Sequence, residues 1–188
     1  MVAAMLVAGG LFSWWTGVRT DSTLRADLVR QARLVAQGLD IERIRSLSGT
    51  KEDLDTPAYL WLKNQLARVR AATPQYRFVY LMGRRPDGRL FFFADDRPFG
   101  DAEESQAGEI YDDAPEEFRR VFETGVADAG GPYTDKWGSF VSGAVPVVDP
   151  ETGNLLAVLA VDLDARAWKW EVAASASLPV GLMLTLLI

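Results

Sequence analysis

The chain has no cysteine and no histidine among its 188 residues. Without cysteine there is no disulfide, no thiol nucleophile and no thiolate metal site. Without histidine a Ser-His-Asp triad, an imidazole base, histidine-ligated haem and the usual zinc sites are excluded too. Charge is missing from both ends: residues 1–18 and 172–188 contain no Asp, Glu, Lys or Arg. Basic charge is scarce in between, with 20 Lys and Arg against 26 Asp and Glu and a net charge of −6. That balance argues against a nucleic-acid partner, which favours a basic surface. No residue pattern points to a cofactor, and no calcium-loop spacing of the EF-hand type is present.

The ends instead carry apolar bulk. Eighteen helical residues rise ~27 Å, close to the ~30 Å hydrocarbon core of a bilayer. Trp14-Trp15 stands at the inner edge of the first run, where an interfacial aromatic belt belongs. A cleaved signal peptide fits less well, because no Lys or Arg precedes the run and no small-residue cleavage site follows it. Residues 172–188 read as the beginning of a second span, interrupted by Ser175, Ser177, Pro179 and Thr185 and cut short at Ile188. The expected layout is a membrane helix at 1–18, a folded domain at 19–171 and a truncated membrane helix at 172–188, with further domains downstream. A segment 19–171 that holds all the charge and turn chemistry is expected to fold alone.

Within the middle stretch the periodicity predicts a helix over 20–47. Leu28, Ala32, Val35 and Leu39 fall on one stripe, and Gly38 is the first interruption. That stripe faces either the domain's own sheet or a second copy, as the seam of a parallel homodimer. Thr56-Pro57 is a helix start and Thr73-Pro74 its end. Residues 77–84 and 90–94 are apolar runs around Pro86-Asp87-Gly88, a β-hairpin with both faces covered. Residues 95–117 are acidic and rich in Gly and Pro, a loop long enough to be a lid or binding element. Asp113 is expected to cap a short helix that carries Phe118, Val121 and Phe122 and ends at Gly125. Residues 130–135 read as a Gly/Pro turn. Residues 139–148 and 155–163 are two more strands, and a last helix begins at Ala165. The order predicts an α+β fold with an antiparallel sheet.

The run Gly131-Pro132-Tyr133-Thr134-Asp135-Lys136-Trp137-Gly138-Ser139-Phe140-Val141-Ser142-Gly143, with the later Ala157–Ala165 strand and Trp168, resembles the central motif and closing strand of PDC-type, single-Cache sensor domains. Phe92-Phe93-Ala94-Asp95-Asp96 and Gly108-Glu109-Ile110-Tyr111 are similar to the same pattern, and the resemblance spans 24–170. It implies a PAS-like sheet with a long N-terminal helix, sited outside the cytoplasm on the bacterial inner membrane. It also implies the input module of a histidine kinase, diguanylate cyclase or chemoreceptor, without catalytic activity of its own. In that family the ligand pocket lies on the sheet face away from the long helix, under the loop after the first hairpin. The candidates for it here are Tyr80, Asp95, Tyr111, Tyr133, Lys136, Trp137 and Ser142. Their polar and aromatic character suggests a small polar or carboxylate-bearing metabolite. Asp162 reads as a structural residue closing a strand end. The alternative is that the acids of 95–117 sense a divalent cation or a membrane surface.

Overall fold

The computed structural model describes residues 2–186, with side chains from 9 to 175. A long helix α1 (Val2–Gln37) is followed by a short α2 (Ile41–Arg45) and by α3 (Pro57–Ala72). Then come β1 (Tyr76–Arg84), β2 (Leu90–Asp95), α4 (Glu116–Thr124), β3 (Asp128–Asp135), β4 (Gly138–Val148), β5 (Leu155–Asp164) and α5 (Ala165–Leu186). The strands form one antiparallel sheet in the order β2-β1-β5-β4-β3.

Local chemistry sets the boundaries. α1 stops at Gly38, and Asp40 caps α2 by accepting from the Arg43 N–H at 3.2 Å. Thr56 caps α3 by accepting from the Tyr59 N–H at 3.2 Å, with Pro57 opening the helix where no N–H is needed. Gly125 ends α4 in the left-handed region at φ 67°. α4 begins later than expected. Pro115, not Asp113, is its N-cap, because Tyr111 is already bonded to β2 and its carbonyl accepts from Ala114 in a turn. Residues 130–135 are not a turn but part of β3. The glycines and Pro132 sit at an irregularity in the β3–β4 register, between Gly130 and Tyr133, which a strand tolerates as a bulge.

Strand alternation divides the sheet's side chains between two cores. Val79, Leu81, Phe91, Phe93, Val141, Val145, Leu159 and Val161 face α1 and α3. Phe78, Tyr80, Met82, Phe92, Phe140, Ala144, Val158 and Ala160 face α4 and the loop after β2. The apolar runs of β1, β2 and β5 are thus explained by cover on both sides. α1 lies so close to β4 that a Cβ on Gly143 would stand 2.8 Å from Leu28 Cγ.

One expectation is corrected. Leu28, Ala32 and Leu39 are buried in the first core and Val35 packs on it, so the domain's own sheet consumes the stripe read as a dimer seam. Among the described residues, no helix is long and apolar enough to cross a membrane. The segments 1–18 and 172–188 are helical in their described parts, but Gly10, Ser13, Trp14, Trp15, Thr16 and Gly17 dilute the first apolar run. Met1, Leu187 and Ile188 lie outside the described residues.

Candidate functional site

The cavity of interest lies on the second face of the sheet, opposite α1. Phe78 and Tyr80 of β1, Phe92 of β2 and Phe140 of β4 form its floor and sides. Tyr111 and Trp137 close it from the loop and from the β3–β4 turn. Its polar edge is made by Asp95, Glu103, Ser105, Asp135 and Asp162. The rings pack edge-on and stacked: Phe92 to Tyr111 at 5.1 Å, Tyr80 to Phe92 at 5.5 Å, Phe92 and Tyr111 each to Trp137 at 5.8 Å. The volume is about 20 Å³, about the room of one water.

The loop is held over this cavity by backbone. Phe92 exchanges hydrogen bonds with the loop, its N–H donating to Glu109 O at 3.0 Å and its carbonyl accepting from the Gly108 N–H at 2.8 Å. The Tyr111 N–H donates to Leu90 O at 2.9 Å, so the free edge of β2 is covered and Tyr111 is aimed inward. Two contacts then clasp the loop to the β3–β4 turn. The Tyr111 hydroxyl donates to Asp135 Oδ2 at 2.8 Å, and Lys136 Nζ pairs with Glu109 Oε1 at 2.8 Å.

Asp162 lies at the centre. Its carboxylate accepts from the Ser142 hydroxyl and, at 3.2 Å, from the Tyr80 hydroxyl. The pairings Phe78↔Asp162 and Ser142↔Asp162 explain why these groups meet. Burial raises the Asp162 pKa to about 7; the Ser142 and Tyr80 hydroxyls oppose the rise, and the charges of Asp135 and Asp96 add to it. The hydroxyls of Tyr80, Tyr111 and Tyr133 are held well above the usual phenol range, first by burial and then by the neighbouring carboxylates.

The acidic loop is neutralised by specific partners. Lys63, only 7% exposed, pairs with Asp95 at 2.9 Å and Glu104 at 2.8 Å. Arg97 pairs with Glu103 at 3.0 Å, and Arg77 pairs with the same carboxylate. Asp95 also accepts from the Ser105 N–H at 2.7 Å and the Arg97 N–H at 3.2 Å. Among the described residues, no group of three or more acids is disposed to hold a metal ion.

The structure brings Tyr80, Asp95, Tyr111 and Trp137 together as cavity walls. Asp95 reaches the edge with its carboxylate already engaged by Lys63 and Ser105. Ser142 stands one bond behind Asp162. Tyr133 packs against Phe118 beneath α4, its hydroxyl buried and without a partner, and does not line the cavity. Lys136 is exposed, lying over the Trp137 ring at 4.1 Å, and serves the clasp rather than the wall. Asp135 and Asp162 were not among the sequence candidates. A lone carboxylate inside the apolar run 157–163 was the available signal for Asp162.

Neither a family model nor a curated protein sequence matches the chain. Solved structures do. The ligand-binding domain of the Campylobacter jejuni chemoreceptor Tlp3, in complex with L-norvaline, matches at 11% identity over 90% of this chain and 62% of that one, with a TM-score of 0.59. The extracellular domain of mmHK1S-Z2, assigned as a histidine kinase, matches at 14% identity over 88% and 62%, with a TM-score of 0.52. The periplasmic sensory domain of the Campylobacter jejuni chemoreceptor Tlp1 matches at 17% identity over 84% and 61%, with a TM-score of 0.50. The chain spans about three fifths of the length of these structures. These neighbours are sensory domains rather than catalytic ones. At such identities the likeness is one of fold alone: an α+β, PAS/Cache-like antiparallel sheet backed by a long N-terminal helix.

Proposed function

We propose that this chain is an extracytoplasmic sensor domain that binds a small molecule in the aromatic cavity and passes the event to a membrane-embedded signalling protein. The observation that carries this reading is the cavity itself: apolar walls, a few convergent polar groups and a clasped loop, on the sheet face opposite the long helix. The Tlp3 domain of the same fold, solved with L-norvaline, supports it by analogy.

Transmission follows from how α1 and α5 meet. The Trp168 Nε1–H of α5 donates to Asp21 Oδ1 of α1 at 2.8 Å, and Arg25 pairs with Asp21 at 2.7 Å. Arg25 also donates to Gly131 O at 2.8 Å, reaching the strand that leads to Asp135 and Trp137. A rearrangement at the β3–β4 turn is thereby linked to the junction of the two helices. Trp14, Trp15 and Trp170 are exposed near that junction, where an interfacial belt would place them. The ends of the chain anchor the domain to the inner membrane in this reading. An attached kinase, cyclase or methyl-accepting domain reads the displacement.

The test is a thermal-unfolding screen of the full chain in detergent micelles against a metabolite library. A ligand at a hundred times its Kd stabilises the folded state by about 2.7 kcal/mol. At least one compound is expected to do so, and Trp137→Ala should abolish its effect. A library without a hit, or stabilisation that survives Trp137→Ala, would contradict the proposal.

A further inference from the structure

The charges around the cavity do not balance. Its lining holds six aromatic side chains, Ser105 and four carboxylates, and no Lys or Arg. Two of the carboxylates are compensated from outside the lining: Asp95 by Lys63, and Glu103 by Arg77 and Arg97. The other two have only neutral donors. Asp162 accepts from Ser142 and Tyr80; Asp135 accepts from the Tyr111 hydroxyl and from the Trp137 N–H, each at 2.8 Å. Among the described residues, neither forms an ion pair. Asp162 is buried and Asp135 half-buried; a carboxylate so placed without a counter-charge either keeps its proton or gains from a bound cation, which stabilises the ionised form. Ring faces attract the same kind of ligand, because their quadrupole is negative over the face; the protein's own cations already use this attraction at two of the rings, Lys136 over Trp137 at 4.1 Å and Arg97 over Phe78 at 4.5 Å.

We infer that the ligand is a small organic cation without a carboxylate of its own, an alkylammonium or quaternary ammonium, held between Asp162 and Asp135 against the aromatic walls. This rests on the cavity being the ligand site. It replaces the carboxylate-bearing metabolite expected from the sequence. A free carboxylate, or the carboxylate of an amino acid, would add a further anion to a cavity whose lining offers no base to receive it. At about 20 Å³ the cavity has room for about one water and none for such a cation as it stands. A cation with several carbons enters as the clasp between Glu109, Tyr111 and the β3–β4 turn opens, because Trp137 stands on that turn and not in mid-sheet. The closed and open arrangements then differ in affinity for the cation, which is what a ligand needs in order to shift a two-state balance.

Four probes of similar size test the class on the full chain in detergent micelles, by thermal unfolding and by calorimetric titration: tetramethylammonium, isobutylammonium, isobutyrate and valine, each against sodium chloride at equal ionic strength. The two ammonium ions should raise the unfolding temperature saturably at millimolar concentration. Asp135→Asn with Asp162→Asn should weaken their binding by at least ~10-fold, while the unliganded double variant unfolds no earlier than the parent. Stronger stabilisation by isobutyrate or valine would overturn the cation class and leave the cavity as a ligand site. Ammonium binding retained by the double variant would overturn the assignment to Asp135 and Asp162. No response to any of the four would overturn both the class and the site.

Discussion

Asp162 concentrates the chemistry of this domain in one side chain. It sits among Ala160, Val161 and Leu163 on β5, at a position that a packing argument alone would give to an apolar residue. Its carboxyl is raised to about 7 by burial, whereas an unfolded aspartate titrates near ~3.9. The folded state therefore holds this proton more tightly than the unfolded state. Stability from Asp162 is fully present below about pH 4 and is lost as pH rises through about 7. Asp96, raised to about 6 by burial against the opposing Val79 N–H, Arg70 and Arg97, acts in the same direction. Asp162→Asn is expected to flatten the fall between these limits, at ~1.4 kcal/mol for each pKa unit at most. Denaturant melts at a series of pH values measure it, and an unchanged profile in the variant would contradict the assignment. The groups facing Asp162 (Asp135, Asp96, Tyr80, Tyr111, Tyr133 and Ser142) include no cation, so ammonium binding should strengthen as pH rises through the same window. The role of Asp162 was only half legible in the sequence. Parity puts it on one face with Ala160 and Val158, but its meeting with Tyr80 and Ser142 depends on the pairing of β5 between β1 and β4, which no local pattern contains.

Arg25 ties three elements together, α1 through Asp21, β3 through Gly131 and Ala129, and α5 by lying over the Trp168 ring at 5.6 Å. Arg25→Ala leaves half-buried carbonyls and the Asp21 carboxylate short of donors, and a loss of ~1–2 kcal/mol is expected in equilibrium unfolding. Trp168→Phe removes the Nε1–H donor and also part of a buried indole, so its cost should be ~1 kcal/mol for the hydrogen bond plus that of the cavity left behind. A double-mutant cycle of the two that shows no coupling would mean that Arg25 and Trp168 do not act as one junction. Gly143→Val presses side-chain atoms against Leu28 and should cost ~1–3 kcal/mol by overpacking. Helix and strand boundaries followed from caps and breakers that are local: Thr56-Pro57, Gly38, Gly125 and the Pro86–Gly88 turn all mark them. β3 did not, because Gly130, Gly131 and Pro132 are turn formers everywhere except in a strand that carries a bulge. The stripe of α1 was legible as apolar, but whether it meets a sheet or a second helix is a fact of tertiary packing.

At the scale of the whole molecule, the sheet separates two tasks. One face is a closed apolar core against α1 and α3, which fixes the long helix to the domain. The other holds the cavity and the clasped loop, whose carboxylates Lys63, Arg77 and Arg97 reach from outside the lining. Strand β3 and helix α5 connect the second face to the end of the domain where α1 enters and α5 leaves. Ligand binding and helix movement are then two readings of one equilibrium. Hydrogen–deuterium exchange of the full chain, with and without the ammonium ion that stabilises it most, tests this directly. The result expected is slower exchange in residues 105–111 and 133–140, together with a change at 21–28 and 165–170. Protection confined to the open groove formed by residues 50–52, 85 and 106–109, or protection at the cavity with no change where α1 meets α5, would contradict it.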